Sequence, residues 1–244
     1  MQSESTRAAG DILAYRYSVY DLLRRIFLWE VPLEFFAELV KASQAELAGE
    51  TCSSSAEGPL KNYLNGLPPD DLSEIHREIH IEYTRLFIGP KHLPAPPYES
   101  VYRSPGRLMM QDETINVRSL YAKHGFRVTR MNREPDDTVG IELEFMCALS
   151  KASLDALQEG DTRRVVEFVS AQREFCELHL SKWMPEFCGD IIGNSTHPFW
   201  KSVAEFTQRF LEEDAAEMNA VLEQLGRSCK DGDPNPKLSV GCCS

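Results

Sequence analysis

Apolar residues recur at three- and four-residue steps through nearly the whole chain, and no stretch of useful length alternates apolar with polar. That period belongs to a helix with one buried face; a half-buried strand needs a period of two. Ile12, Tyr15, Val19, Leu22, Leu23, Ile26 and Phe27 spell an amphipathic helix, of about five turns. Pro32 suits a first helical turn, and Leu33, Phe36, Leu39 and Val40 carry the pattern towards Gly49. Residues 51–58 are small and polar and read as a loop. A short helix over 60–67 ends at Pro68-Pro69, and Asp70-Asp71 open a helix that runs to Phe87. Further helices are expected over 111–124, closed by Gly125, over 135–159, over 162–183, and from His197-Pro198 to Leu225, with 126–134 irregular and basic. The fold reads as all-α, a single large helical domain of two layers joined by a proline-rich hinge loop at 88–99. The expected boundaries are a disordered stretch at 1–10, a domain at 11–226 subdivided into 11–90 and 100–226, and a flexible tail at 227–244.

Two runs stand out from this background. In the first, Tyr83, Leu86, Phe87, Gly89 and Pro90 end a helix and lead into Pro94-Ala95-Pro96-Pro97-Tyr98-Glu99-Ser100-Val101-Tyr102. Proline fixes φ and cannot continue a helix, so Pro90, Pro94, Pro96 and Pro97 hold the loop extended. A stiff loop presenting aromatics, a carboxylate and a serine is a candidate binding surface. The second run, 134–146, places Glu134, Asp136, Asp137, Glu142 and Glu144 around the start of a helix. Acidic residues there complement the helix dipole and can simply be solvated. The same carboxylates also suit bidentate recognition of an arginine-bearing segment.

Charge and composition remove several classes. A net charge of -12 offers phosphates no basic face and disfavours an anionic membrane. No apolar stretch approaches the roughly 20 residues needed to span a bilayer, and the polar residues 1–10 lack the apolar core of a secretory signal. The seven cysteines form no CxxC pair; Cys147 and Cys176 sit in helical patterns as small hydrophobes. The protein therefore reads as cytoplasmic, without nucleic acid or stable membrane insertion.

Catalytic and cofactor chemistry find little footing. His76 and His80 share a helix face, yet Arg77 stands where a zinc-protease helix has glutamate. None of the six histidines follows a glutamate by three residues, as helix-bundle di-iron sites require. No phosphate-binding glycine loop and no hydrolase elbow occur around Ser100 or Ser104. Cys229, Cys242 and Cys243 lie in the expected tail without a third partner for a metal. Neither a catalytic residue, a metal nor a cofactor is expected.

Taken together, the two runs closely resemble the TorD/DmsD family of redox-enzyme maturation chaperones. The likeness is sharpest over 83–146 and compatible with the helical pattern over 11–225. It implies an all-helical protein that is not an enzyme. Its partner would be the catalytic subunit of a molybdopterin-dependent oxidoreductase, bound through its twin-arginine leader, its body or both until the cofactor is inserted. It further implies a monomer or a domain-swapped dimer, with the loop as hinge. By that resemblance the peptide-binding surface comprises Tyr83, Leu86, Phe87, Pro96, Pro97, Tyr98, Glu99, Ser100, Tyr102, Glu134, Asp136, Asp137, Thr138 and Glu142. Tyr83, Leu86, Phe87 and Tyr98 would bury the leader's apolar stretch, and Glu99, Glu134, Asp136, Asp137 and Glu142 would receive its arginines. Two departures matter: the family commonly has tryptophan where Tyr98 stands and histidine where Thr138 stands. A second reading is an assembly factor for a non-exported oxidoreductase of the nitrate-reductase type, and a third a small metal-dependent enzyme using His76 and His80.

Overall fold

The structure is a computed structural model that describes residues 4–47, 58–68, 71–90, 92–128 and 134–232. Its elements are α1 (Glu4–Phe27), α2 (Leu33–Leu47), α3 (Gly58–Asn65), α4 (Leu72–Tyr83), α5 (Glu99–Arg103), α6 (Asp112–Lys123), α7 (Val139–Gln158), α8 (Thr162–Phe175), α9 (Ser181–Asn194) and α10 (Pro198–Gly232). The described residues contain no strand, only an isolated antiparallel bridge between Tyr98 and Thr138, so the protein is all-α. None of the described helices is long and apolar enough to cross a membrane.

Two wide turns extend these helices. The Gly89 N–H reaches back to the Thr84 carbonyl at 2.8 Å, so α4 continues through a π turn at Thr84–Ile88. A second, Cys176–Leu180, joins α8 to α9 without a break. The periodicity over 162–183 therefore belongs to a longer helical rod that ends only at Asn194. At its start, Gly160 takes φ +75 and Asp161 caps α8 by accepting the Arg164 N–H at 3.1 Å. Glycine populates that left-handed region without a Cβ penalty, which makes the sharp α7–α8 turn affordable.

Helix α1 packs along both α7 and α10; α7 lies along α8, and α10 contacts α3, α8 and α9. The main core is aromatic, with Phe27 and Phe87 each against both Phe187 and Trp200, and Phe87 edge-on to Trp200 at 5.1 Å between centroids. A smaller cluster closes the far end of the bundle, where Ala9 and Leu13 of α1 meet Val165 and Val169 of α8 and Met218, Val221 and Leu225 of α10. That packing explains why α1 begins at Glu4, inside the stretch 1–10 expected to be disordered: Ala9 is fully buried. At the other end α10 runs to Gly232, past the expected start of the tail at 227. The rest of that tail, with Cys242 and Cys243, lies outside the described residues, as do residues 51–57 of the expected polar loop.

Gly140, in the first turn of α7, permits the crossing that positions the site. A Cβ there would sit 2.4 Å from Leu28 Cα and 2.8 Å from Leu28 N. Only glycine lets the backbone leaving α1 lie this close to α7.

Candidate functional site

The two sequence runs meet at the Tyr98–Thr138 bridge. The Val139 N–H donates to the Pro97 carbonyl at 2.9 Å and the Glu99 N–H to the Asp137 carbonyl at 3.0 Å. Both α5 and α7 start directly after this bridge. Proline leaves residues 96–98 extended, and an extended segment has backbone donors and acceptors to share; the loop before α7 supplies the partners.

Beside the bridge opens a cavity of about 450 Å³, lined by the end of α1 (Phe27, Leu28, Trp29, Glu30), the end of α4 (Tyr83, Phe87, Ile88), the proline loop (Pro97, Tyr98) and the α7 entry (Glu134, Thr138, Val139). Tyr83, Phe87, Pro97, Tyr98, Glu134 and Thr138, all expected from sequence, thus share one wall system. Burial pushes the Tyr83 hydroxyl up to about 12, and the charges of Glu30 and Glu134 add to the effect. Tyr98 is raised by burial and then by Glu134. Both acids line the cleft with Tyr83, and Glu134 acts on Tyr98 as well. The π turn matters here, because it leaves Leu86 and Phe87 in the core and Ile88 54% exposed at the rim.

The remaining expected residues lie underneath. Leu86, Glu99, Ser100, Asp137 and Glu142 have no exposed surface, and Asp136 has 2%. Pro96 is buried as well. Asp137 Oδ2 accepts the Ser100 N–H and Oδ1 the Thr114 hydroxyl, each at 2.8 Å. Asp136 takes Arg118 Nε at 2.6 Å, and its backbone carbonyl accepts the Tyr121 hydroxyl at 3.1 Å. Glu99 receives Arg103 at 2.6 Å, with His179 Nδ1 at 2.8 Å from its other oxygen. Trp183 Nε1 donates to Glu142 at 3.0 Å. Burial, and then the charge of Glu99, hold the Glu142 carboxyl well above the usual carboxylate range. Tyr102 stacks beside Trp183 and donates to Asp190, away from the cleft. Acids buried this deeply are not reachable by an incoming guanidinium; these four tie α5, α6, α7 and α9 together beneath the cleft. Of the acidic set, Glu134 alone opens onto it.

Phe27, Leu28, Trp29, Glu30, Ile88 and Val139 line the cleft without having been among the site residues expected from the sequence. Trp29-Glu30 sits in the short break between α1 and Pro32, and an aromatic beside an acid in a loop is the same kind of signature that marked the proline run. His76 Nε2 lies 2.7 Å from the Val31 carbonyl, and His80 faces Glu30 at 3.3 Å. Among the described residues no group of three His, Cys, Asp or Glu is arranged to hold a metal.

What this defines is an all-helical protein whose cleft offers aromatic walls and two open carboxylates. A family model described as nitrate reductase delta subunit matches residues 33–189, and the chain belongs to that family, which takes in the TorD/DmsD proteins. Similar proteins include the chaperone protein TorD of Vibrio cholerae serotype O1, 24% identical over 213 residues that cover 86% of this chain and 94% of the relative. The chaperone protein TorD of Aliivibrio salmonicida is 28% identical over 137 residues, 56% of this chain and 62% of the relative. The Tat proofreading chaperone DmsD of Salmonella typhi is 25% identical over 140 residues, 56% and 60% of the two chains.

Proposed function

We propose that the protein is a cytoplasmic, non-catalytic chaperone dedicated to the catalytic subunit of a molybdopterin-dependent oxidoreductase. It binds that subunit's twin-arginine leader, its body or both, and delays export until the cofactor is in place. The reading is carried by the cleft that the two runs build where they join, lined by Tyr83, Phe87 and Tyr98 and flanked by Glu30 and Glu134. Apolar side chains of a leader bury against the aromatic walls, and its arginines pair with the two open carboxylates. The four buried acids keep the loops in place, so the groove is formed before the peptide arrives and less ordering is needed on binding. The protein acts as a monomer, or as a dimer exchanging 11–90 about the loop at 88–99.

The name of the family model favours one other reading, an assembly factor that stays with a non-exported oxidoreductase of the nitrate-reductase type. A tagged pull-down from the native host under anaerobic respiration separates the two. Recovery of one molybdoenzyme subunit still carrying its twin-arginine leader supports the chaperone reading, a leaderless subunit supports the assembly factor, and recovery of neither overturns both.

A further inference from the structure

Next to the cleft the chain displays apolar side chains it has no internal use for. Leu108 is 57% exposed, Met109 43%, Met110 62% and Ile115 61%. The turn that carries the first three is firmly built, and Ile115 follows it in α6. Ser104 Oγ accepts the Leu108 N–H at 2.8 Å, Gln111 donates to the Met109 carbonyl at 2.8 Å, and the Arg107 guanidinium lies over the Tyr102 ring at 5.0 Å while reaching Glu186 and Asp190. Arg107 and Met110 take φ of 50 and 57, a left-handed conformation that side chains other than glycine rarely adopt. Polar contacts thus hold a strained turn whose result is a row of apolar side chains in water, an arrangement that marks an interaction surface.

The ledge adjoins a second cavity, of about 420 Å³, lined by Met110, Gln111, Thr114, Ile115, Arg118, Glu134 and Pro135. Glu134 lines both cavities, and it has no cationic partner among the described residues. Asp112 and Glu113 add negative charge at the start of α6, and the positive charge of Arg118 is countered by Asp136. A second copy of this chain, with its charge of -12, or an anionic lipid surface would meet repulsion on such a rim. A basic segment that continues into an apolar one meets attraction, and unbranched methionines adapt to varied side chains.

We propose that the peptide site has two stations joined at Glu134, with the ledge of Leu108, Met109, Met110 and Ile115 receiving the part of the apolar stretch that runs on past the aromatic walls, in the same segment whose cations sit at Glu30 and Glu134. This rests on the leader-binding reading above. The test uses the full chain and two fluorescein-labelled synthetic peptides read by anisotropy. The long one carries an arginine pair followed by an apolar run of about twelve residues, the length of a leader core; the short one ends after the arginine pair. In the Met110→Gln/Ile115→Gln variant, whose exposed positions leave the melting temperature unchanged, the long peptide binds at least tenfold more weakly and the short one as in wild type. Glu134→Gln weakens both. Unchanged affinity of the ledge variant for the long peptide, or equal loss for both peptides, overturns the ledge while leaving the leader reading in place. Failure of both peptides to bind the wild type overturns the leader reading and the ledge with it.

Discussion

Asp137 commits both carboxylate oxygens to the protein's own donors, the Ser100 N–H and the Thr114 hydroxyl. Replacing it with alanine strands two buried donors, and each stranded group costs about 1–3 kcal/mol. Asp137→Ala is therefore expected to lower stability by about 3 kcal/mol in urea unfolding, with Asp137→Asn milder because one acceptor survives. Acids on the cleft behave oppositely: Glu30→Gln/Glu134→Gln leaves stability nearly unchanged. It weakens an arginine-bearing leader peptide by about tenfold at low salt, and the difference from wild type shrinks as salt is raised. Calorimetry across a salt series checks both halves. Tyr83, Phe87, Tyr98 and Glu134 were legible in the sequence because each stands in a short run of unusual composition. Which carboxylates are buried was not legible. The donors Thr114, Arg118 and His179 lie 18 to 80 residues away, and a helix's first turn looks the same whether its acids meet water or a distant side chain.

Among the elements, helix ends were easier to read than helix continuations. Pro135 and the acids before α7, and Gly125 after α6, punctuate the chain locally. The π turns at Thr84–Ile88 and Cys176–Leu180 carry no such local mark, since they answer to what the helix packs against. The α1–α7 crossing is likewise a tertiary fact written in one residue. Gly140→Ala drives a methyl group into the Leu28 backbone and is expected to cost about 3 kcal/mol, at the upper end of overpacking penalties. The same variant also widens the cleft whose walls these two elements supply. Glu82 joins α4 to the α9–α10 connection by accepting the Thr196 N–H at 2.6 Å and the Ser195 hydroxyl at 2.9 Å, beside Arg85 at 2.7 Å. Burial pushes its carboxyl up, but Arg85 and these donors together outweigh that and hold it at about 2. An unfolded glutamate titrates at about 4.3, so Glu82 contributes stability that is complete above about pH 5 and lost as the pH falls towards 2. Thermal melts from pH 7 to pH 3 should show a smaller acid-induced drop in Glu82→Gln than in wild type.

At the scale of the whole molecule, the first and last long helices are tied by one buried ion pair. Arg16 and Asp214 interrupt the apolar stripes of α1 and α10 at positions where Leu13, Tyr20 and Leu23 on one side, and Phe210, Met218 and Val221 on the other, are all core. Both are buried, with Arg16 Nε 2.5 Å from Asp214 Oδ1 and the Tyr20 hydroxyl donating to Oδ2 at 2.7 Å. Burial opposes the Arg16 charge, and Asp214 more than offsets it, holding the guanidinium above its ordinary range. The stripe positions are visible in the sequence, whereas the pairing of two opposite charges 198 residues apart is not. Desolvating both ions offsets much of their attraction, so the pair as a whole contributes little, while breaking it leaves one charge alone in the core. Asp214→Ala is accordingly expected to cost about 4 kcal/mol. The double replacement Arg16→Met/Asp214→Leu should recover most of that loss, because it restores two continuous apolar stripes and strands no charge. Urea unfolding of the single and double variants, arranged as a thermodynamic cycle, measures the difference. A double variant as unstable as the single one would mean that Tyr20, left without its acceptor, depends on Asp214 as heavily as Arg16 does.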